Sequence, residues 1–307
     1  MTLRELEYIV AVARTRHFGR AAEQCFVSQP TLSGQIRKLE EQLGVAIFER
    51  TSRSVALTPV GERIVQQAHA VLDQVAGLEA IARDHHDPLA GPLRLGAIPT
   101  LSPYLMPLIL RPLRNAYPQM ELALFEEMTA RLLERLHDHS IDAALVATDE
   151  SGPEFESWPL FDEPFWLAHP REHPFYYQET ITLTDLEAAD LLLLSEGHCL
   201  AEQAMALCRM KERGAAGAMA DLRAASLETI LQLVGAGYGS TLVPALAMGG
   251  AWTTDNGIVA RQLELPDARR RVALLFRASF PRRAALTTLA RVIRTNLPNT
   301  VAALTPD

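Results

Sequence analysis

The sequence of 307 residues predicts a mixed α/β protein that begins with a winged helix-turn-helix, continues through one long helix and ends in a larger α/β body. Three observations support this fold class. Short amphipathic helical patterns fill residues 1–57, one long helical pattern follows Thr58-Pro59, and strand-like runs alternate with helical patterns from residue 93 onward. A chain of this length is expected to form two or three domains.

Three helices are predicted in the head of the chain. Apolar residues at helical spacing give a first helix over 3–13 and a second over 18–25. A turn at Phe26-Val27 leads to a third helix, which Ser28 caps and Gly44 ends. The apolar stripe of this third helix consists of Leu32, Ile36, Leu39 and Leu43.

The opposite face of the third helix carries small, polar and basic residues. At about 100° per residue this face holds Pro30, Thr31, Gly34, Arg37 and Lys38. Such a face can enter the major groove of DNA. Two short strands, over 46–50 and 55–57, would form a wing with Arg50 and Arg53 near phosphates. The residues alone equally permit a three-helix packing unit with a solvated polar face.

A long helix is predicted over residues 58–87. Its apolar residues step by three and four positions, and they are Val60, Ile64, Ala68, Val71, Val75, Leu78 and Ala82. This spacing favours pairing with a second helix, although packing on the body of the same chain would also bury the stripe. Proline and glycine over 88–92 then predict a hinge.

The body is predicted to contain parallel strands joined by crossover helices. The predicted strands cover 93–98, 121–125, 141–147, 165–168, 191–194, 241–243 and 272–276, and the first two helices cover 105–116 and 130–139.

Composition and charge limit the classes of protein to which the chain can belong. The sequence has no run of about 18 uncharged apolar residues and no signal-peptide pattern at its start, so we expect a cytoplasmic protein that does not span a membrane. Residues 1–60 hold eight basic and six acidic residues, a net +2, which leaves −10 for the remainder because the whole chain carries −8. A basic head on an acidic body permits DNA binding through the head alone.

Of the three cysteines, Cys25, Cys199 and Cys208, Cys199 has the position that most clearly indicates a reactive thiol. It follows an apolar strand and precedes a helical run over 200–213, so it is predicted to lie at a helix N-terminus, where partial positive charge lowers the pKa of a thiol. His198 could add a hydrogen bond. A thiolate is the form that attacks peroxide and gives a sulfenic acid.

Cys208 lies nine residues beyond Cys199. In an intact helix the two would be about 13.5 Å apart along the axis and on opposite faces, whereas a disulfide needs Cα atoms within about 7 Å. A bond between them therefore requires the helix to unwind, which would make it a switch. From the residues alone, Cys208 is more simply an ordinary buried thiol, since two cysteines nine positions apart often occur by chance. A zinc site is disfavoured because two cysteines and one adjacent histidine lack a fourth ligand, so we expect neither a metal nor a cofactor.

The head resembles the winged-helix head of LysR-type regulators. The matching stretches are HFGRAA (17–22), VSQPTLS (27–33), IRKLE (36–40), LGV (43–45), FER (48–50) and LTPVG (57–61). The resemblance implies that two long helices pair so that two heads read two half-sites of double-stranded DNA. It also implies phosphate contacts from the wing and base-edge contacts near Gln29, Pro30, Ser33 and Arg37.

The body is similar to the two-lobed, periplasmic-binding-protein-like domain of the same family. This resemblance implies a lobe I of 93–163 and 269–307, a lobe II of 164–268, and crossings near 162–167 and 267–270. A cleft between such lobes usually binds a ligand. The domains would then be a head of 1–57, a dimerising helix of 58–87, a hinge of 88–92 and a regulatory body of 93–307.

Around the cysteines the sequence resembles the peroxide-sensing members of this family. The matching stretches are GHCL (197–200), QAM (203–205), Cys208, SLET (226–229) and LVPALA (242–247). The resemblance implies that hydrogen peroxide oxidises Cys199, that Cys208 captures it as a disulfide, and that segment 199–213 refolds. It also implies polar groups around the reacting thiol, from Thr100, Thr129, His198 and one arginine of Arg269-Arg270, with Arg270 as the candidate.

The sequence departs from this pattern at Ala201-Glu202, where some members carry a basic-acidic pair. Cys25 is expected to pack in the head.

The resemblance further implies a homodimer that assembles to a homotetramer on promoter DNA and contacts RNA polymerase.

Three functions follow as hypotheses. The first is a peroxide-responsive transcription regulator. The second is a regulator that binds a small organic effector in the lobe cleft and has inert cysteines. The third, a thiol peroxidase, finds no support in the head, and the sequence shows no serine nucleophile motif, phosphate loop or metal cluster.

Overall fold

The computed structural model describes residues 1–50, 55–84, 89–150, 152–189, 191–208, 223–249 and 257–304, without the side chains of 50, 79–84 and 223. The chain forms two compact units. The first comprises Met1–Pro88 with Ser279–Arg283, and the second comprises Leu89–Ala278 with Ala284–Asp307.

The first unit contains the predicted helix-turn-helix, wing and long helix. Its elements are α1 (Leu3–Thr15), α2 (Phe18–Gln24), α3 (Gln29–Leu43), β1 (Phe48–Arg50), β2 (Val55–Leu57) and α4 (Pro59–Asp84). Helix α1 begins at a capping box of Thr2 and Glu5, which satisfies backbone donors that have no partner inside the helix. The Ser28 hydroxyl caps α3, and Gly44 ends it with a φ of 71°.

The core of this unit is formed by the apolar faces of α1 and α3. Ile9, Val12, Leu32, Ile36 and Leu39 are completely buried there. Burial of each such side chain contributes about 1.5–3 kcal/mol relative to exposure. The last residue of the predicted α3 stripe differs, since Leu43 lies in the final turn and is 38% exposed.

The wing is an antiparallel hairpin in which Phe48 pairs with Leu57 and Arg50 with Val55. The Glu40 carboxylate of α3 accepts the backbone N–H groups of Ile47 (2.8 Å) and Phe48 (3.1 Å), and so holds the hairpin to α3. The tip that carries Arg53 lies outside the described residues, as does the side chain of Arg50.

Helix α4 follows the wing directly. Val65 and Ala68 face the core of the unit, whereas Leu78 is 68% exposed. The predicted end of this helix, 85–87, lies outside the described residues. Part of the predicted hinge is strand, because Gly91 and Pro92 already pair with the strand that begins at Met120.

The second unit contains ten strands and six α-helices within the described residues. The strands are β3 (Gly91–Ala97), β4 (Met120–Glu126), β5 (Ala143–Val146), β6 (Phe155–Pro170), β7 (Leu193–Leu194), β8 (Arg223–Ala224), β9 (Thr241–Pro244), β10 (Ile258–Gln262), β11 (Arg269–Arg277) and β12 (Ala302–Ala303). The helices are α5 (Ser102–Ala116), α6 (Thr129–His137), α7 (Leu183–Ala188), α8 (Cys199–Leu207), α9 (Leu227–Gly235) and α10 (Arg283–Thr295).

The main sheet of this unit is mixed rather than parallel. Its order is β10-β6-β11-β5-β3-β4, and β9 and β12 also pair with β6. Strand β3 is parallel to β4 and β5, as predicted. Strand β11 is antiparallel to β5 and β6, contrary to the prediction, because β6 leads the chain out of one lobe and β11 brings it back.

Strand β6 belongs to both lobes. Its first part, up to Pro164, pairs with β11, and from Phe165 it pairs with β9. The core of the lobe that follows includes Phe165, Leu231 and Val243. Leu200, Ala201, Ala204 and Cys208 of α8 pack into this same core. Helix α8 is therefore held from one side by apolar contacts of its own lobe.

Candidate functional site

Cys199 is the first residue of α8. The chain reaches it through Gly197, whose φ of 94° suits glycine, and through His198 at the N-cap position. The backbone N–H groups of Cys199 and Leu200 interact with the sulfur. The residue is buried, with 8% of its surface exposed. The predicted placement of the thiol at a helix N-terminus is thus present in the structure.

A small cavity lies beside this thiol. Three segments line it, 98–100, 128–129 and 197–199, and the gap between them is too narrow to admit a water-sized molecule. Each segment leads into a helix, α5, α6 or α8, so three helix N-termini converge on one point. Partial positive charge at helix N-termini favours a negative group. The point of convergence therefore suits a thiolate.

Arg270 enters this region from β11. Its side chain is completely buried, with Nε donating to Glu163 Oε2 at 2.8 Å. The guanidinium also donates to Thr100, from Nη1 to Oγ1 at 2.9 Å and from Nη2 to the carbonyl oxygen at 3.0 Å. Neighbouring Arg269 is exposed and reaches Asp162 instead. Strand alternation thus directs one arginine of the pair towards the site.

The Thr100 hydroxyl is oriented by this contact. Because Oγ1 accepts a hydrogen bond from Arg270, its own proton can be donated elsewhere. Thr100 and Thr129 both line the cavity beside Cys199. Two hydroxyl groups and one thiol therefore surround the same space.

Glu163 is a site residue that sequence reasoning missed. It is fully buried, and besides Arg270 its other carboxylate oxygen accepts the backbone N–H of Leu246 at 2.8 Å. Its partners lie 107 and 83 residues away in the chain, so no local sequence pattern identifies Glu163 as a site residue. A buried charge is costly unless it is paired and hydrogen-bonded, and Glu163 meets both conditions for Arg270.

The pKa of the Cys199 thiol is raised, contrary to the sequence prediction. Burial is the largest cause and raises the pKa. The charge of Arg270 and the N–H groups of Leu200 and Cys199 lower it, and exposed Glu202 raises it further. The predicted effect of the helix N-terminus is present, but desolvation of the thiolate outweighs it.

His198 lines the same cavity as a neutral side chain. Burial lowers the pKa of its imidazole, and a hydrogen bond with the backbone of Ala225 opposes this effect. Its Nε2 atom is buried without a hydrogen-bond partner among the described residues. A neutral imidazole in this position can donate or accept a hydrogen bond, depending on its tautomer.

Cys208 lies at the other end of α8. It follows the last helical residue, and its backbone N–H donates to the carbonyl of Ala204 at 3.0 Å. Only 1% of its surface is exposed, and burial raises the pKa of its thiol to about 11. All three cysteines are free. The intact helix keeps the two thiols apart, as the spacing predicted. Residues 209–213 of the predicted switch segment lie outside the described residues.

The predicted DNA-facing residues share one surface of α3. Gln29, Pro30, Thr31, Gly34, Arg37 and Lys38 are exposed and Ser33 is half-buried. Neither Arg37 nor Lys38 forms an ion pair with the part of the chain that the structure describes. The Thr31 hydroxyl is hydrogen-bonded to that of Ser28 at 2.7 Å. Cys25 packs half-buried beside the core of this unit.

Metal sites and membrane-spanning helices are both absent from the described residues. They contain no group of three or more His, Cys, Asp or Glu side chains arranged to hold a metal ion. None of their helices is long and apolar enough to cross a membrane.

The two parts of the chain match two family descriptions. Residues 3–62 match the bacterial regulatory helix-turn-helix protein, lysR family. Residues 86–298 match the LysR substrate binding domain.

The similarity to known proteins extends over nearly the whole chain. It is 44% identical to the DNA-binding transcriptional dual regulator OxyR of Escherichia coli (strain K12), covering 97% of this chain and 96% of that protein. It is 40% identical to a full-length OxyR variant from Pseudomonas aeruginosa, with a TM-score of 0.83 and coverage of 99% and 98%. A peroxide-bound OxyR mutant from Corynebacterium glutamicum is 36% identical, with a TM-score of 0.66 and coverage of 96% and 92%.

Proposed function

The chain belongs to the LysR family and, within it, to the OxyR group, and we propose that it is a DNA-binding transcription activator that responds to hydrogen peroxide. Relatives at about this identity carry the name hydrogen peroxide-inducible genes activator. The observation that supports the proposal best is that Cys199, beside a gap that Thr100 and Thr129 line, and Cys208 lie at opposite ends of one helix.

The chemistry follows from the two thiols. The Cys199 thiolate attacks one oxygen of hydrogen peroxide, which breaks the O–O bond and gives a sulfenic acid and hydroxide. The Cys208 sulfur then attacks the sulfenic sulfur, so that a disulfide forms and water leaves. Because the intact helix keeps the thiols apart, α8 must unwind before the second step. Segment 199–213 would refold in this way.

Four side chains would support the first step. Thr100 and Thr129 would hold peroxide through their hydroxyls, and neutral His198 would contribute a hydrogen bond. Arg270, fixed by Glu163, would stabilise the thiolate through its charge. The gap beside Cys199 does not admit even a water-sized molecule, whereas pockets for organic effectors are typically about 300–1,000 Å³. The lining segments would have to move apart for either ligand, and least for peroxide.

The head would carry the signal to promoter DNA in the cytoplasm. The exposed face of α3 would contact base edges, and the wing, with Arg50 and Arg53, would contact phosphates. Exposed apolar residues on α4 would pair two chains, and two such dimers would form the homotetramer. Refolding of α8 would alter the arrangement of the bodies, and so the spacing of the heads and contact with RNA polymerase.

Peptide mapping without reduction tests the switch directly. After one equivalent of peroxide, the wild-type chain should yield a peptide pair linked through Cys199 and Cys208. Cys208→Ser should stop at a sulfenic acid that a trapping reagent captures, and Cys199→Ser should give neither product. An unlinked wild-type chain that still activates transcription with peroxide would contradict the proposal.

Arg37→Ala tests the DNA-binding face. Loss of a guanidinium that contacts DNA should weaken operator binding by about 1–3 kcal/mol. The measurement is a fluorescence anisotropy titration at two salt concentrations. Arg14→Ala on α1 provides a control arginine in the same unit but outside the α3 face, and it should bind DNA as wild type. Equal affinity of Arg37→Ala and Arg14→Ala would remove α3 from the proposed interface.

A further inference from the structure

Gln203 connects the switch helix to the other lobe. It lies in the second turn of α8, and its Nε2 donates to the backbone carbonyl of Ala147 at 2.7 Å. Ala147 directly follows β5 of the first lobe, 56 positions earlier in the chain. Apolar contacts tie α8 to its own lobe, whereas this hydrogen bond reaches across to the other one.

The amide of Gln203 is satisfied at only one end. Its Oε1 atom is buried and has no hydrogen-bond partner among the described residues. A buried polar atom without a partner carries a desolvation cost, which water would relieve once the helix unwinds. The side chain thus makes a link that stabilises the helical state only modestly. This small net stabilisation suits a helix that must stay folded in the reduced form and unwind in the oxidised form.

We propose that Gln203 is a positioning residue of the redox switch, whose hydrogen bond to Ala147 holds α8 in its helical form and so opposes closure of the 199–208 disulfide. This inference rests on the proposed function, because it concerns the second oxidation step. Gln203 does not line the cavity around Cys199. It therefore acts on the approach of Cys208 to the sulfenic sulfur and leaves the attack on peroxide unchanged.

Gln203→Asn retains the amide but shortens the side chain so that it no longer reaches Ala147. The helical, reduced form should lose stability, so disulfide formation should become about fivefold more favourable. At 29.6 mV per tenfold change for a two-electron couple, this corresponds to a reduction potential about 20 mV more negative. The measurement equilibrates the full chain in glutathione buffers and determines the linked fraction by thiol alkylation.

Gln203→Glu gives a second readout that a general loss of packing would not produce. The introduced carboxyl can donate to Ala147 when it is protonated and cannot when it is ionised. Glu202 and Asp149 lie close to the two ends of the link along the chain, and their negative charges would favour the protonated form of the introduced carboxyl. Relative to wild type at each pH, the shift of the disulfide equilibrium in this variant should be larger at pH 9, where the carboxyl is ionised, than at pH 5.5.

Gln232→Glu is the matched control, because Gln232 is exposed on α9 and makes the same change of charge on the same lobe. The disulfide equilibrium of this control should equal that of wild type at every pH. In a Cys208→Ser background, sulfenic acid formation should proceed within twofold of the same rate with and without Gln203→Asn.

Two failures are distinguishable. A wild-type chain that forms no 199–208 disulfide overturns the proposed function itself. A wild-type disulfide whose equilibrium is unchanged by Gln203→Asn, or a Gln203→Glu ratio that stays constant with pH, overturns only the role of Gln203. If one variant does not fold, the other decides the question.

Discussion

Around the Cys199 sulfur, burial and positive charge act in opposite directions. Desolvation raises the pKa of the thiol, while Arg270 and two backbone N–H groups lower it. Because the net shift is upward, the thiolate is a minor species at neutral pH. Its reaction with peroxide then depends on how strongly the surrounding donors stabilise the small ionised fraction.

The oxidation rate of Cys199 should therefore rise with pH. Below the pKa of a thiol, the thiolate fraction grows by about tenfold per pH unit. We expect the rate in Cys208→Ser, followed by stopped-flow or by trapping of the sulfenic acid, to increase throughout pH 6–8. A rate that levels off below pH 7 would show that the pKa is lowered instead.

Arg270→Met should slow this reaction at every pH, because removal of the positive charge raises the pKa further. Arg269→Met is the matched control, since its side chain is exposed and contacts Asp162 on the other face of β11. The control should leave the rate unchanged.

Some residues of the site could be predicted from the sequence, and others could not. The placement of Cys199 could be predicted from the strand and helix that flank it, and those of Thr100 and Thr129 from the family resemblance. Glu163 could not be predicted, because its role comes from Arg270, which reaches it only after the sheet has formed. The direction of the Cys199 pKa shift was wrong for the same reason, since burial is a property of the folded lobes.

Among the elements, those with strong local signals were predicted best. Helix α3 runs from the Ser28 cap to Gly44, as its capping residues indicate. Strand β6 was predicted only over 165–168, yet it spans 16 residues. Its first part carries Glu156, Asp162 and Glu163, which obscure the apolar pattern. Pairing with Arg270 and Arg271 of β11 makes the charges of Glu163 and Asp162 acceptable in a strand.

The junction of the wing and α4 is a tight backbone contact that only glycine permits. A Cβ on Gly61 would lie 2.1 Å from the carbonyl oxygen of Ile47, which is a backbone atom. Gly61→Ala should therefore lower the free energy of unfolding of the first unit by several kcal/mol, as expected for a forced backbone shift. Thermal and urea unfolding would measure this loss.

Gly34→Ala is the control for this change, because its added Cβ meets no atom within 4 Å. Replacing glycine by alanine inside a helix stabilises by about 0.5–1 kcal/mol. The two substitutions should thus have opposite signs. Equal effects would mean that the contact between Gly61 and Ile47 relaxes freely.

For the whole molecule, the self-association that we propose depends on the exposed stripe of α4. Leu78 is 68% exposed, and a leucine in this position of a near-3.5-residue repeat is typical of a paired helix. Leu78→Glu should weaken dimerisation and reduce operator affinity in proportion. Analytical ultracentrifugation and DNA titration at several protein concentrations would measure both effects.

Ala76→Glu introduces the same charge at an exposed position about 200° around the helix from Leu78, and so outside the stripe. It should associate as wild type does. A Leu78→Glu chain that remains dimeric at the same concentration would place the interface elsewhere.

The state of Cys208 gives the molecule a fixed order of events. Almost completely buried and with a pKa of about 11, this sulfur is chemically silent while α8 stays wound. An oxidant arriving from solvent would therefore reach Cys199 before Cys208, since the first sulfur is the less deeply buried of the two. In the proposed mechanism Cys208 becomes reactive only after Cys199 has been oxidised and α8 has unwound. Each response would then report one completed reaction with peroxide and persist until the disulfide is reduced.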